Sequence, residues 1–263
     1  MKKTLIALAV AASAAVSGSA MAWTATGNGG TLKLSGTLTS KQFVTPWETQ
    51  VGAAVDNLNG TVVKGSKVAE VSVPNSILAL GIRTHEKTAF QGQPGISPDI
   101  NYGGHVYLAG FNAGVTTLTL DVLNKTDNTK IGTMTAPFSA AAAVSIKGST
   151  ISDRYTWMYA PESSGFSGGL ASDSSKAAQS NVGIILSALS PDILNNMDSQ
   201  GLDFSPSPTS GIYSDFGTFT ATYSGVYAGG IVKGDKIKIT LDAPVAGDSI
   251  AWKASLPVSV TYQ

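Results

Sequence analysis

The sequence predicts an all-β fold, a β-sandwich built from many short strands. Apolar and polar residues alternate along several segments, with the two-residue period of a strand that is buried on one face. Clusters of Gly, Ser and Asn separate these segments, and such a spacing of short strands and turns is typical of sandwiches. The 263 residues, 43% of them hydrophobic, are enough for one large domain with a sizeable core.

The alternating segments occur from one end of the chain to the other. They are Leu32–Leu38, Val68–Val73, Val115–Val122, Ile131–Met134, Lys236–Leu241 and Leu256–Tyr262. Pro74 ends the second segment, because proline cannot donate a hydrogen bond to a strand ladder. Residues 124–128, Asn-Lys-Thr-Asp-Asn, form the polar turn that we expect between the third and fourth segments.

One region departs from this alternation. Residues 148–208 are rich in Ser and Gly, and we expect an irregular, partly helical insertion between strands, on the surface where binding loops usually lie. Ser190–Asp192 (Ser-Pro-Asp) predicts a helix start, with Ser as N-cap, Pro at the first position and Asp in the first turn. Residues 174–189 are a second helical candidate, which Gly183 disfavours.

Residues 1–22 are predicted to be a secretory signal peptide. Lys2–Lys3 give a positive start, Leu5–Val16 form an apolar run, and Ala20–Ala22 have the small-x-small pattern of a cleavage site. The apolar run is too short to cross a bilayer core of about 30 Å as a helix. An N-terminal membrane anchor is the alternative interpretation. We therefore expect export, with Trp23 as the mature N-terminus.

Charge and composition exclude several classes of function. The chain has 17 Lys+Arg and 17 Asp+Glu, and removal of Lys2 and Lys3 leaves 15 against 17, a net charge of −2. A field that weak does not attract nucleic acid, so we expect no nucleic-acid partner. The chain has no Cys and two His, which excludes a thiolate metal site and disfavours a histidine-rich one. We expect neither a metal nor a cofactor.

The search for a catalytic set finds no convincing candidate. Glu162–Gly165 is the nearest match to a nucleophile elbow and lacks its first Gly. His85, beside Glu86, has the composition of a general base, but the surrounding polar run favours a solvated loop histidine. His105 precedes a strand, which favours a position at a strand edge. We therefore expect no enzyme, and an exported enzyme on a β-sandwich is the least favoured alternative.

The two ends of the mature chain carry the strongest functional signal. A Gly- and Thr-rich tail, residues 23–39, contains a strand whose inward face holds Leu32, Leu34, Gly36 and Leu38. The C-terminal strand alternates to the last residue but one, with Leu256, Val258, Val260 and Tyr262 inward. One interpretation makes these the first and last strands of a closed sandwich. The other is donor-strand complementation, in which a subunit lacks one strand and takes it from the tail of a neighbour.

At these residues the chain resembles the K88 (F4) family of fimbrial subunits of enterobacteria, which are assembled by the chaperone–usher route. The matching segments are Gly29–Thr39, Trp47–Gly52, Ser190–Leu194 and Trp252–Tyr262. The first segment resembles the donor strand of the family, including the Gly at its narrow pocket. The absence of Cys also fits this family and differs from the disulfide-bearing type 1 and P pilins.

The resemblance implies an incomplete immunoglobulin-like sandwich in residues 40–263, with a groove flanked by the C-terminal strand. A periplasmic chaperone would fill the groove, and at an outer-membrane usher the N-terminal segment of the next subunit would replace it. Leu32, Leu34 and Leu38 would fill pockets, and Gly36 would pass a constriction. The implied partners are other fimbrial subunits, the chaperone and the usher, and the implied location is the fimbrium on the bacterial cell surface.

Two functions remain open within this resemblance. The first is a structural subunit that is polymerised by donor-strand exchange and contributes to cell adhesion. The second is a lectin-like subunit that binds a host glycan receptor through the central insertion. Tyr155, Trp157 and Tyr159 alternate there, as a sugar-stacking face or as the core face of a strand.

Overall fold

The structure of the protein is a computed structural model, which describes residues 34–37, 44–148, 150 and 152–263. The chain forms two compact units, Met1–Phe43 and Val44–Gln263. In the first unit, Leu34 is 84% exposed. The predicted signal peptide, and Leu32 and Leu38 of the predicted donor strand, lie outside the described residues.

The regular secondary structure of the second unit is almost all strand, which confirms the predicted all-β, sandwich-like fold. Its strands, within the described residues, are β1 (Trp47–Val51), β2 (Val68–Ser72), β3 (Ile77–Thr84), β4 (Phe90–Gln91), β5 (Pro98–Asn101), β6 (Val115–Asn124), β7 (Lys130–Gly148), β8 (Arg154–Trp157), β9 (Phe204–Ser205), β10 (Ala221–Ile231), β11 (Lys236–Leu241), β12 (Trp252–Lys253) and β13 (Ser259–Tyr262). The helix α1 (Val182–Leu189) and 3₁₀ turns at Leu108–Gly110 and Ser174–Lys176 complete them. Among the helices in this part of the chain, none has the length and apolar character to cross a membrane.

The 19-residue strand β7 connects the two halves of the main sheet. Its first half lies between β6 and β11, and its second half lies between β10 and β8, all antiparallel. The main strand order is β1-β3-β10-β7-β11-β2, with β12 on the outer edge of β6. The last strand, β13, pairs separately with β5.

Burial along β7 explains why its second half is not visible as an alternating segment. From Lys130 to Phe138 buried residues alternate with less buried ones, because one face is partly open to solvent. From Ser139 to Ile146 every residue is buried, because the region containing α1 covers the other face. A strand buried on both faces has no polar alternation, and the four alanines at positions 140–143 provide none.

Three predicted strands are confirmed, and the turn between the third and fourth segments is confirmed with them. They appear as β2, β6 and β11, and the fourth segment, Ile131–Met134, forms the start of β7. In the turn, Asn124 Oδ1 accepts a hydrogen bond from the Thr126 main-chain N at 2.8 Å, and Asn128 takes a φ of 63°, which asparagine tolerates better than most residues. The C-terminal strand is shorter than predicted, because Leu256 and Val258 lie outside β13.

The helix predicted to start at Ser190 is wrong, since Ser190 follows the last residue of α1. The helix forms earlier because Val182, Ile185, Leu186 and Leu189 are buried at helical spacing. After it, Ser190 Oγ donates to Asp192 Oδ1 at 2.8 Å and does not cap a helix. Turns follow in which a main-chain N donates to the carbonyl three residues earlier. In one of them, Ile193 N donates to the Ser190 carbonyl at 3.2 Å.

The region expected as a surface insertion lies between β7 and β10 and contributes to the core. Trp157, Phe166 and Leu186 are completely buried. Polar contacts also attach this region to the sheet. Ser145 Oγ of β7 contacts the Asp198 carbonyl, and Ser224 Oγ of β10 accepts a hydrogen bond from the Asp198 main-chain N at 3.0 Å. The region is irregular and partly helical, as predicted, but its expected position on the surface is wrong, because both apolar packing and buried hydrogen bonds fix it to the sheet.

An aromatic cluster fixes the start of β1. Trp47 is 6% exposed, and its indole Nε1 donates to the Ile96 carbonyl at 2.7 Å. The rings of Phe90, Phe166 and Phe216 meet it edge-on, at centroid distances of 5.0, 5.5 and 4.9 Å. One residue thus joins β1 to three separate loops and strands.

Replacement of Trp47 tests this anchor. We expect Trp47→Ala to lower the free energy of unfolding by about 3–5 kcal/mol, because it leaves a large cavity. Trp47→Phe should cost less, about 1–3 kcal/mol, through the unsatisfied Ile96 carbonyl and the lost ring volume. Urea unfolding measures both, with Tyr107→Ala, at a residue that is 62% exposed, as the control. An equal effect of Trp47→Ala and the control would contradict this assignment.

Two buried tyrosines form a second interior link. The hydroxyls of Tyr102 and Tyr227 are 2.8 Å apart, and that of Tyr227 donates to the Gly169 carbonyl at 3.2 Å. Tyr102 therefore donates to Tyr227. Burial raises the pKa of both phenols above the usual range, because a charged phenolate there would be poorly solvated.

These raised pKa values predict alkaline destabilisation. Unfolded tyrosines lose their protons near pH 10, whereas the folded pair retains them. Their contribution to stability is therefore complete below about pH 10 and is lost as the pH rises further. In urea unfolding at several alkaline pH values, the double variant Tyr102→Phe/Tyr227→Phe should lose stability less steeply than the unmodified protein. A steepness equal to that of the unmodified protein would contradict this, and Tyr213→Phe, at an exposed position, is the control.

Candidate functional site

A cleft of about 1040 Å³ separates the inner faces of the two halves of the sandwich. One wall is formed by β2, β6 and β11, and the other by β1, β3 and β10. The strands that line the cleft present an apolar surface, called here its floor. Its side chains are those of Val71, Leu78, Leu118, Leu120, Val122, Met134, Phe138, Ile231, Ile237, Ile239 and Leu241. Such a surface is suited to apolar side chains and not to a charged small molecule.

Two chain segments form the rim of this cleft. The first flank is residues 51–62, which follow β1, and the second flank is residues 248–258, which contain β12. The first flank leaves the sheet at Gly52, whose N lies 3.5 Å from the Ala79 carbonyl. A Cβ at Gly52 would lie 1.7 Å from the Leu78 carbonyl oxygen, so glycine is required where the chain turns away.

From Trp252 to Tyr262, through most of the second flank and β13, the chain alternates strictly without full burial. Every second residue is half-buried and the residues between are exposed: the half-buried ones are Trp252, Ala254, Leu256, Val258, Val260 and Tyr262. Residues 254–258 belong to none of the described strands. Inward residues of an internal strand are normally buried much more completely. These inward side chains are therefore less completely covered than those of an internal strand.

The structure divides the predicted groove residues into two pairs. Leu256 and Val258 line the cleft. Val260 and Tyr262 lie beyond it in β13, where they pair with Ile100 and Pro98 of β5. The sequence does not show that the first flank and β3 line the groove. The one sequence signal there is Gly52, a conformationally permissive residue at the point where the chain leaves the sheet.

Charges are confined to the rim of the cleft among the described lining residues. They belong to Asp56, Lys125, Asp248 and Lys253. Apolar side chains are also left exposed there: Val51 is 62% and Val55 46% exposed. Contiguous exposed apolar surface marks an interaction site, so the geometry fits an extended segment with one apolar face.

The three aromatic residues predicted as a sugar-stacking face do not form one surface. Trp157 is fully buried, its Nε1 donates to the Ser207 carbonyl at 3.0 Å, and Gly211 packs against its ring. Tyr155 is half-buried and meets Phe204 edge-on at 5.1 Å. Of the two interpretations of this alternation, Trp157 fits the core face of a strand, because the alternation in β8 points toward the core.

Tyr159 has a different environment from the other two aromatic residues. It is half-buried, and Tyr213, which is 58% exposed, lies edge-on to it at 5.4 Å. Burial, followed by the nearby Tyr213 and Asp173, raises the pKa of Tyr159. Tyr213 is not recognisable from the sequence as a neighbour of Tyr159, because the two tyrosines lie 54 positions apart along the chain.

The histidines occupy surface positions. His85 Nδ1 lies 3.2 Å from Glu48 Oε2, and the Arg83 guanidinium, which also contacts Glu48, holds the pKa of that carboxyl below its usual range. His105 Nδ1 lies 2.9 Å from the Thr119 carbonyl at a strand edge. In the described ranges no group of three or more His, Asp or Glu side chains is placed to hold a metal ion.

The comparisons with known proteins agree with the resemblance found in the sequence. The family model described as "Fimbrial, major and minor subunit", of the K88 type, matches residues 1–263. The K88 fimbrial proteins AB and AC of Escherichia coli are 30% and 31% identical to the chain, over all of both proteins. The F41 fimbrial protein of Escherichia coli is 39% identical over 153 residues, which cover 55% of this chain and 54% of that protein.

These matches confirm the predicted family and the predicted location on the bacterial surface, where fimbriae are found. They extend over the cleft and both of its flanks, since the family model spans the whole chain. The chain belongs to the K88 family of fimbrial major and minor subunits, and it is a structural subunit of a fimbria.

Proposed function

We propose that the apolar cleft accepts the N-terminal segment of a neighbouring subunit, so that the fimbria grows by donor-strand exchange. The observation that supports this most is the second flank, whose inward side chains alternate and yet are half-buried beside an apolar floor. A strand added along this flank would complete their burial and pair main-chain groups that belong to no strand. Strand addition at an open edge is an established mode of peptide recognition.

The proposed donor, residues 23–39, matches the flank in length and pattern. Leu32–Leu38 and Trp252–Val258 each contain seven residues and four inward positions. Seven residues of a strand span about 20–23 Å. Leu34, the described leucine of the donor, is 84% exposed, as a side chain awaiting a partner would be.

Two contributions favour binding of the donor strand and one opposes it. Burial of three leucine side chains contributes roughly 5–9 kcal/mol before costs. Each main-chain hydrogen bond adds about 1 kcal/mol net, and ordering a flexible tail opposes these gains by about 1–2 kcal/mol per residue. Leu32, Leu34 and Leu38 are the proposed pocket residues, and Gly36 is proposed to pass the narrowest point of the cleft.

The same open cleft explains the need for assembly partners. An uncovered edge beside exposed apolar residues is prone to edge-to-edge aggregation. We propose that a periplasmic chaperone covers the second flank before assembly. An outer-membrane usher then brings the N-terminal segment of the next subunit to the cleft.

A bulky residue at the constriction tests this scheme. We expect Gly36→Leu to abolish fibres, seen by electron microscopy and size exclusion, because the side chain cannot pass the cleft. Ser35→Leu, which adds the same side chain on the outward face, should assemble. The Gly36→Leu protein should still bind a peptide copy of residues 23–39, because its own cleft is unchanged. Normal fibres from Gly36→Leu would refute the pocket assignment.

Adhesion through a glycan is a second candidate function, favoured by one observation. Tyr159 and Tyr213 form an aromatic pair with an exposed ring, and Asp173 lies near Tyr159. An aromatic surface with one polar group beside it is the usual composition of a site that orients a small ligand. A sugar ring would stack on Tyr213 and donate hydroxyl hydrogen bonds to the Asp173 carboxylate.

A glycan array with assembled fimbriae tests this second function. We expect Tyr213→Ala to reduce binding at least tenfold while fibre assembly is unchanged, which corresponds to about 1.4 kcal/mol or more. Tyr107→Ala, at another exposed tyrosine, is the control. Binding that is equal in both variants would exclude this surface, and an array without any bound glycan would exclude the function.

A further inference from the structure

Two charged side chains from opposite sides meet across the mouth of the cleft. Asp56 belongs to the first flank, and Lys125 lies in the turn between β6 and β7. Lys125 Nζ is 3.7 Å from Asp56 Oδ1, and both residues line the cleft. The side chains are 59% and 79% exposed, so the pair lies at the rim and not in the floor.

Lys125 is attached to the second flank by main-chain contacts. Its N donates to the Ala251 carbonyl at 2.9 Å. Its neighbour Asn124 pairs with Trp252 of β12. The ion pair between Asp56 and Lys125 therefore joins the two flanks, through a hairpin whose main chain contacts the second flank.

The adjoining end of the rim is held together differently. There Gly65 N donates to the Val245 carbonyl at 2.9 Å, and Val245 N donates to the Ser66 carbonyl at 3.0 Å. An exposed ion pair, Lys64 with Asp248 at 3.7 Å, lies at the same end. Main-chain hydrogen bonds thus join the two segments at this end of the rim, whereas the contact between Asp56 and Lys125 is made by side chains alone.

We infer that the Asp56–Lys125 pair is an ionic clasp that an incoming donor strand must open, and that it limits the rate of strand uptake. This inference depends on the proposed donor-strand function. A strand inserted between the flanks would lie about 4.8 Å from each of them, which requires flanks about 9.6 Å apart at that level. The outward face of that strand needs the space that the two paired side chains occupy.

The clasp has a modest strength and a definite salt dependence. An exposed pair of this kind changes an equilibrium or a rate by about two- to fivefold. Salt screens such a pair, because the Debye length falls from about 10 Å at 0.1 M to 3 Å at 1 M. Uptake of the donor strand should therefore accelerate as the salt concentration rises.

The charge of the donor itself must be separated from this effect. Lys33 is the one ionisable side chain in residues 23–39. Asp56 attracts it and Lys125 repels it, so removal of either residue alters steering as well as the clasp. A donor peptide with Lys33→Gln eliminates the steering contribution from that side chain.

The test uses a labelled peptide that copies residues 23–39 with Lys33→Gln. Stopped flow measures the rate at which this peptide binds to the dilute full chain that begins at Trp23. Asp56→Asn and Lys125→Gln should each raise the association rate about two- to fivefold. The double variant should be no faster than either, because one pair is lost in all three. Glu70→Gln, which breaks the exposed Glu70–Lys236 pair between β2 and β11 at 2.8 Å, should leave the rate unchanged.

High salt should bring the unmodified chain to the rate of the variants. Unchanged rates in both single variants, or independent effects that multiply in the double variant, would overturn the clasp while peptide binding still supports the donor-strand proposal. Failure of both the Lys33→Gln and the unmodified peptide to bind any form of the chain would overturn the donor-strand proposal, and the clasp with it.

Discussion

The proposed function depends on the second flank, whose inward side chains are half-buried beside an apolar cleft. A sandwich is stable when each inward side chain is covered by the opposite sheet and each strand is paired. Here β12 and β13 pair on one side, whereas residues 254–258 between them belong to no described strand and border an apolar cleft. Under the proposed function, a segment with one apolar face would complete the burial and the pairing along residues 254–258.

The rest of the fold fixes the walls of the cleft. β7 crosses both halves of the sheet, and the region around α1 covers its second half, so the walls of the cleft are fixed independently of any occupant. Trp47 anchors β1 immediately before the first flank diverges at Gly52. In the proposed donor-strand binding, the main cost would be the ordering of the donor, because these walls are already in place.

Sequence periodicity predicted the parts of the molecule in which one face is buried and the other solvated. It identified β2, β6 and β11 and the alternation of the second flank for this reason. It missed the second half of β7, which is buried on both faces, and placed a helix start at Ser190, where local hydrogen bonds to Asp192 form a turn instead. Trp157 was ambiguous because alternation shows which residues share a face, but not whether that face meets solvent. The first flank lacks alternation and was recognisable only through the structure.

Hydrogen exchange at the second flank tests whether residues 254–258 accept a donor strand. The main-chain amides of Ser255, Leu256 and Val258 should exchange quickly in the free chain, because they belong to no described strand. Added peptide copying residues 23–39 should slow their exchange, whereas a scrambled peptide should not. Strong protection in the free chain that the peptide leaves unchanged would contradict the account, because the edge would then already be complete.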